Sequence, residues 1–431
     1  EEAPRTTRAQ INHSTVVSST GGVTVKADSS FEGHDASIEA LSIAGGIAVS
    51  SGNKQGTAFT VAGVGASSYN NVYKTIDSTI MGDASVTAQN DVFLSAQDNT
   101  NIVADAGGVG ISVTISGSKS GGLSIGASLS TNTISSIVAA TIDQATVISN
   151  AGSVEVSATS TGIIDAFALG GSVSVAASTE VNNSSAGAIG FGGAFATNDI
   201  TAVTQASIKS DSTVTTTVQT GDVNLLAMNT SSITADAIGF SGSVAFSENN
   251  NAGSLAIGVA IGSNKINNSV SAFIIDSTVN SGAGVNLSSA NSAIITAHST
   301  AVAVALALGD KKALSLSGGG AESTNVILPL INAYIDASTI TSHGDVTIAA
   351  TDSSDIDATV LAAAITASLG KSAGGASIGA SFATNLIGWE AISADASGQI
   401  QAYAKNAKIA AEGDLYLTAL EKSTIDATVH A

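Results

Sequence analysis

The sequence predicts an all-β chain wound as a parallel β-helix, and three observations carry that prediction. The phrase Gly344-Asp345-Val346-Thr347-Ile348-Ala349-Ala350 returns along almost the whole chain, in copies that start at 21, 90, 152, 221, 283, 344 and 413 and are spaced 69, 62, 69, 62, 61 and 69 residues apart. Seven copies at a near-fixed period are the mark of stacked structural units. Apolar residues also alternate with polar ones, as where Ile111, Val113 and Ile115 interleave with Ser112, Thr114 and Ser116. A period of two with β-branched enrichment is a strand with one face in and one face out. Finally, Gly, Asn, Asp and Ser bound these runs without a series of Asn-Gly hairpins, which favours parallel winding over a sandwich.

Each repeat has three parts. An Asn-centred phrase comes first, at Asn70, Asn132, Asn198, Asn264, Asn325 and Asn385, where asparagine is expected to serve turns through its tolerance of left-handed backbone. An Ile-Asp phrase follows at Ile76–Ile80, Ile275–Val279 and Ile335–Ile340, and the Gly-Asp-Val phrase comes within about a dozen residues. A long Ala/Gly/Ser-rich tract then leads to the next asparagine. Ala358 to Leu369 could also place Val360, Ala364 and Ala367 on one helical face, but Gly and Ser bound it tightly and its counterparts alternate, so strand is favoured. Pro329 is expected at a turn because it cannot donate to a ladder.

A β-helix coil commonly takes about twenty residues, so the reading is about three coils per repeat of 61 to 69 residues. Around twenty coils rising ~4.8 Å each would give a rod on the order of 100 Å long. Residues 1–20 are read as an irregular segment or an incomplete coil. Residues 21–431 are read as one continuous solenoid of about six full repeats and a partial seventh.

Composition narrows the partners. Apolar residues make up 44% but aromatics only 4%, so the core is expected to be narrow and built of Ala, Val and Ile. Charged residues are 11%, well under the usual quarter, and the net charge of −20 leaves no basic cluster. Nucleic acid and anionic membrane surfaces are disfavoured, since nothing would neutralise phosphates. Zero cysteines exclude disulfides and thiol chemistry. No apolar run approaches the ~18 to 20 residues of a membrane-spanning helix, and no membrane insertion is expected. Glu1 to Arg5 show no basic start followed by an apolar run, so no secretion signal is visible and the array is read as a piece of something longer.

The search for chemistry yields no catalytic residue, no metal ligand and no cofactor site. Gly122-Leu123-Ser124-Ile125-Gly126 and Gly375-Ala376-Ser377-Ile378-Gly379 match a nucleophile elbow, but array copying explains the duplication and neither brings a histidine or acid with it. They are read as structural turns. His13, His34, His298, His343 and His430 fall at unrelated repeat positions and are expected on exposed strands or loops. Asp222, Asp345 and Asp414, and Asp77, Asp276 and Asp336, are read as turn-capping residues. Once per repeat is too sparse for shared calcium ligation, and Asp352, Asp355 and Asp357 form the densest acidic patch. Trp389 is the only tryptophan and is expected to point outward.

Read whole, Ala333 to Ala350 resembles the repeat region of large bacterial filamentous adhesins, the filamentous-haemagglutinin-like and leukotoxin-type exoproteins. The likeness covers roughly residues 21 to 431 and rests on structural punctuation. It implies a right-handed β-helix, secretion across the outer membrane and a place at the cell surface. The expected function is a non-enzymatic shaft segment of a secreted adhesin, a stiff spacer whose weak contacts with a host or neighbouring-cell glycan or protein add up. A structural subunit of an extracellular fibre, self-associating end to end, is the alternative. A polysaccharide-degrading β-helix enzyme would need a cleft of carboxylates, basic residues and aromatics that the sequence does not supply. An ice-binding face would need outward threonine rows, and Ser112/Thr114 is not sustained.

Overall fold

Alternation of small and β-branched residues produces strands along the described residues, and every strand pairing among them is parallel. The computed structural model describes residues 5–29, 37–180, 184–391 and 398–431. Three parallel sheets build the fold. One turn of the chain runs through Thr57–Met81 in a first long sheet, Ser85–Ala88 in a short sheet and Val92–Ser116 in a second long sheet. The next turn repeats this as Lys119–Asp143, Thr146–Ser149 and Val154–Ser178. The short sheet has seven strands, one per turn. Parallel β-solenoid is therefore the fold, and the segment before residue 21 already belongs to it, since Arg5–Asn12 and Thr15–Ser18 pair with the turn above.

The register corrects the coil count. Val154 pairs with Val92 on one side and Val223 on the other, so consecutive copies of the Gly-Asp-Val phrase lie on adjacent strands. One repeat is one coil, not three. The twenty-residue estimate assumed short strands, whereas the long strands here run 25 residues, about 80 Å at ~3.3 Å per residue. The six steps of ~4.8 Å between the seven coils rise about 29 Å, in place of the rod of order 100 Å. The glycines read as strand ends sit inside strands, where the two long sheets face each other too closely for a Cβ. At Gly126 a Cβ would run into the carbonyl oxygen of Gly171, and at Gly170 into that of Gly193.

Where all three sheets meet, the coil is a prism with an aliphatic core. Ile80, Ile142, Ile208 and Ile274 stack from the first long sheet, Val86, Val147, Val214 and Val279 from the short one, and Leu94, Val156, Leu225 and Leu287 from the second, all essentially inaccessible. Each such side chain contributes roughly 1.5–3 kcal/mol on burial. A second stack, Ile102, Ile164, Ile233 and Ile295 against Ile134, Ile200, Ile266 and Ile327, lies farther along. Beyond it the short sheet is absent and the two long sheets close on each other as a thin tongue packed with Ala, Ser and Gly.

The corner between the first long sheet and the short one is made by a left-handed residue in successive coils: Asp83, Gln144, Asp211, Asp276, Ala337 and Asn406 have φ of 58°, 51°, 57°, 46°, 49° and 50°. Asp276 thus occupies the turn expected of it. Asp77 does not: Ile76–Ile80 lies within the strand, before the corner, and Asp77 faces outward to Arg8 at 2.9 Å.

The asparagine phrase is also corrected, from turn to strand interior. Asn70, Asn132, Asn198, Asn264, Asn325 and Asn385 point into the lumen, and from Asn70 to Asn325 each amide nitrogen donates to the next coil's amide oxygen at 2.8–2.9 Å. In-register parallel stacking makes such ladders, because identical side chains recur every ~4.8 Å with complementary donor and acceptor. Replacing Asn198 with leucine is expected to orphan the Asn132 donor and the Asn264 acceptor and to cost about 2–4 kcal/mol, measured by urea unfolding. Pro329 likewise sits in a strand, Lys312–Asp336, not at a turn. It lies where the next coil's ladder is interrupted, between the Ile327–Ile387 and Leu330–Gln399 pairs.

Candidate functional site

Ser124 and Ser377 occupy one column of the first long sheet, through Gly190, Ala256 and Ser317. Both Gly-x-Ser-x-Gly matches are therefore strand interior, not turns. Ser124 is fully buried and donates to the Gly110 carbonyl at 2.6 Å, which spends its proton on the facing sheet.

The histidines are scattered as the sequence indicates. His13 is at the first corner with φ 48°, His298 meets Asp236 at 2.9 Å on an outer face, His343 meets Glu412 at 2.9 Å, and His430 is exposed in the last strand. His34 lies outside the described residues. Among the described residues no group of three or more His, Cys, Asp or Glu is placed to hold a metal ion. Trp389 is 45% exposed, in the excursion after Ile387.

The Gly-Asp-Val aspartates act as cross-coil caps. Asp222 accepts from the Gly284 amide at 2.7 Å, Asp345 from the Asp414 amide at 2.7 Å, and Asp91 from the Ser153 amide at 2.8 Å. Asp352, Asp355 and Asp357 do not converge. Asp352 is buried and accepts from Asn291 and Ser354 at 2.7 and 2.8 Å, Asp355 takes the Thr424 hydroxyl, and Asp357 faces solvent.

Two polar groupings emerge that the repeat reading did not single out. Inside, between the prism core and the second isoleucine stack, Lys74 from the first long sheet reaches across to Thr100 at 2.9 Å and to Asp98 at 3.6 Å from the second. Asp98 is inaccessible and also accepts from Ser29 and Thr100, at 2.7 and 2.8 Å. The same crossing is made by Ser136 and Ser160 in the next coil and by Asn268 with Asn229 and Asn291 farther on. It is a polar partition between the two aliphatic stacks. Only a register placing residue 74 opposite residue 98 shows it.

Outside, at the base of the tongue, Asp105, Asp165 and Asp236 share the face of the second long sheet, Asp105 and Asp236 flanking Phe167 across adjacent coils. Burial raises the Asp165 carboxyl above its ordinary value, and the charges of Asp105 and Asp236 raise it further. A raised carboxyl pKa in the fold favours folding below the unfolded value near 4 and loses that contribution as pH climbs through the folded value. Asp165→Asn is thus expected to raise the thermal midpoint at pH 7, with the gain disappearing below about pH 4 in a melting series.

On the outer face of the first long sheet, Phe273, Tyr334 and Tyr403 stack coil on coil, with centroids 5.2 and 4.9 Å apart and planes within 10° and 8°. These groupings are structural rather than convergent on a common reactive atom. Comparison of the chain with protein-family models, curated proteins and solved structures found no match.

Proposed function

We propose that the chain is a non-enzymatic scaffold segment of a secreted bacterial surface adhesin, working as a stiff spacer at the cell surface. The observation that carries this reading is the continuity of equivalent columns through successive coils, seen most plainly in the asparagine ladder from Asn70 to Asn385. A body made this way lengthens by copying a unit, and each unit is stabilised by its neighbours. Its weakly charged flanks suit many weak contacts with a glycan or protein on a host or neighbouring cell, which add through multivalency. The sequence likeness to adhesin repeats points the same way.

The test is retention of chain-coated beads on cell monolayers at graded coating density. The reading expects retention to rise more steeply than density while the free chain binds weakly. Beads that never stick above an albumin-coated control would overturn it, and long filaments of the isolated chain in electron micrographs would favour a fibre subunit instead.

A further inference from the structure

We propose that the tongue, the part of the coil stack where the two long sheets close on Ala, Ser and Gly, inserts into the hydrocarbon of a lipid bilayer. Its polarity is inverted relative to a water-soluble body. Within, Ser112 donates to Ser174 at 3.0 Å, Ser172 to Ser241 at 3.1 Å and Ser124 to a carbonyl at 2.6 Å. Without, the large side chains face away from the protein. On the second long sheet, Val49, Val113, Val175, Val244 and Leu306 form one outward column. Neighbouring columns carry Ile47, Ile111, Val173 and Val304, and Ile115, Phe246, Leu308 and Leu369. On the opposite face, Leu123, Ile189, Leu255 and Leu316 align beside Ile125, Phe191 and Ile257.

Even in interior coils some outward side chains are open to solvent, with Ile115 at 48%, Ile189 at 39% and Phe246 at 39% exposure, and most of the rest of these columns are half-buried against one another. Monomeric soluble proteins rarely show apolar faces of this extent. The occupant follows from four further features. Both broad faces are apolar, so a protein partner would have to enclose the blade from two sides, whereas lipid surrounds it at once. The outward band runs from 107 to 115 on one sheet, about 26 Å at ~3.3 Å per residue, and from 121 to 127 on the other, about 20 Å, where the next column carries the exposed Glu322; membrane β-barrels have an apolar band of ~25 Å and bilayers a hydrocarbon core of ~30 Å.

Polar rims bound the band at both ends. Charges lie at the turns that reverse the chain, among them Lys54, Lys119, Glu248 and Lys371, and Asp105, Asp236 and His298 lie at the base. Backbone donors and acceptors in interior coils are paired to the coils on either side, which is what lipid demands of any strand it surrounds. Hydropathy runs report on helices, so alternating strands of this kind pass unnoticed; among the described residues no helix is long and apolar enough to cross a membrane, which says nothing of strands.

The experiment is flotation of the full chain with uncharged phosphatidylcholine vesicles on a density gradient, alongside sedimentation without lipid. The proposal expects most of the chain to float. The double variant Val175→Lys/Leu306→Lys, whose side chains face outward, should keep the wild-type thermal midpoint and partition at least about tenfold less. The chain has no native cysteine, so a Val175→Cys variant carrying a polarity-sensitive fluorophore should shift to the blue with vesicles. A folded chain that stays at the bottom of the gradient overturns the proposal, as does a double variant that floats equally well. Self-association without flotation, dissolved by the same double variant, would instead make the faces an interface between copies. Flotation presents lipid alone, and bead retention by the Val175→Lys/Leu306→Lys variant reports contacts other than insertion, so failure here and failure of the adhesin reading are separable.

Discussion

Replacing Gly126 with valine is expected to destabilise the chain by about 3 kcal/mol or more, at the upper end for overfilling a core. The side chain would meet the backbone oxygens of Gly171 and Gly108, and backbone on both facing strands cannot rotate aside as a side chain can. The two long sheets would have to separate, and the hydroxyl pairs between them, such as Ser243 with Ser254 at 2.6 Å, would part. Hydrogen exchange should therefore show protection lost first across the tongue, with the prism around Ile142 and Val147 retained. Gly187→Val is the control. A Cβ there meets nothing within 4 Å, so valine, a good strand former facing outward, should be neutral or mildly stabilising.

The second large effect is at the polar partition. Lys74→Met leaves the inaccessible Asp98 carboxylate without its cation, and removing one partner of a buried ion pair typically costs about 3–5 kcal/mol. The next coil shows what relieves this, because Ser136 and Ser160 occupy the equivalent positions as neutral hydroxyls. The double variant Lys74→Ser/Asp98→Ser should therefore recover most of the loss in urea unfolding. Recovery would show that the cost comes from charge burial and not from the shape of the cavity.

Much of the fold was legible because alternation is a direct image of the strand. Ile111, Val113 and Ile115 announce a strand, although they face outward and Ser112 and Thr114 inward, and the Gly-Asp-Val copies announce a stacked repeat, although not that Val92 lies directly on Val154. What misled was the meaning of small and polar residues. Gly126 and Gly170 look like strand breakers in a linear reading, yet they permit close approach between sheets, a property that depends on the opposing strand. Asn198 looks like a turn residue and is a ladder residue, because its partner is one full coil away at Asn264. Pro329 looks like a turn and occupies a gap in the neighbouring ladder. Each error follows from treating as local a preference that the coil-to-coil register decides.

The candidate chemistry was legible in a different sense. The duplicated Gly-x-Ser-x-Gly is explained by Ser124 and Ser377 sharing one interior column, and the Gly-Asp-Val aspartates cap the coil above as their position suggests. Lys74 and Asp98 belong to different phrases of the repeat, and only the closure of the coil in space brings them together, whereas Asp105, Asp165 and Asp236 meet by the stacking of successive coils in one sheet.

The central claim is that one repeat makes one turn, and disulfide trapping in the cysteine-free chain tests it directly. Thr131 and Thr197 are paired on adjacent strands of the first long sheet, so their Cα atoms lie about 4.8 Å apart, within disulfide reach. Thr131→Cys/Thr197→Cys is expected to cross-link rapidly and within one chain under mild oxidation, while Thr131→Cys/Ser263→Cys, one coil farther, is not. If the repeat held three coils, the first pair would stand ~14 Å apart. Failure of that first double variant to form an intrachain disulfide while folded would contradict the account.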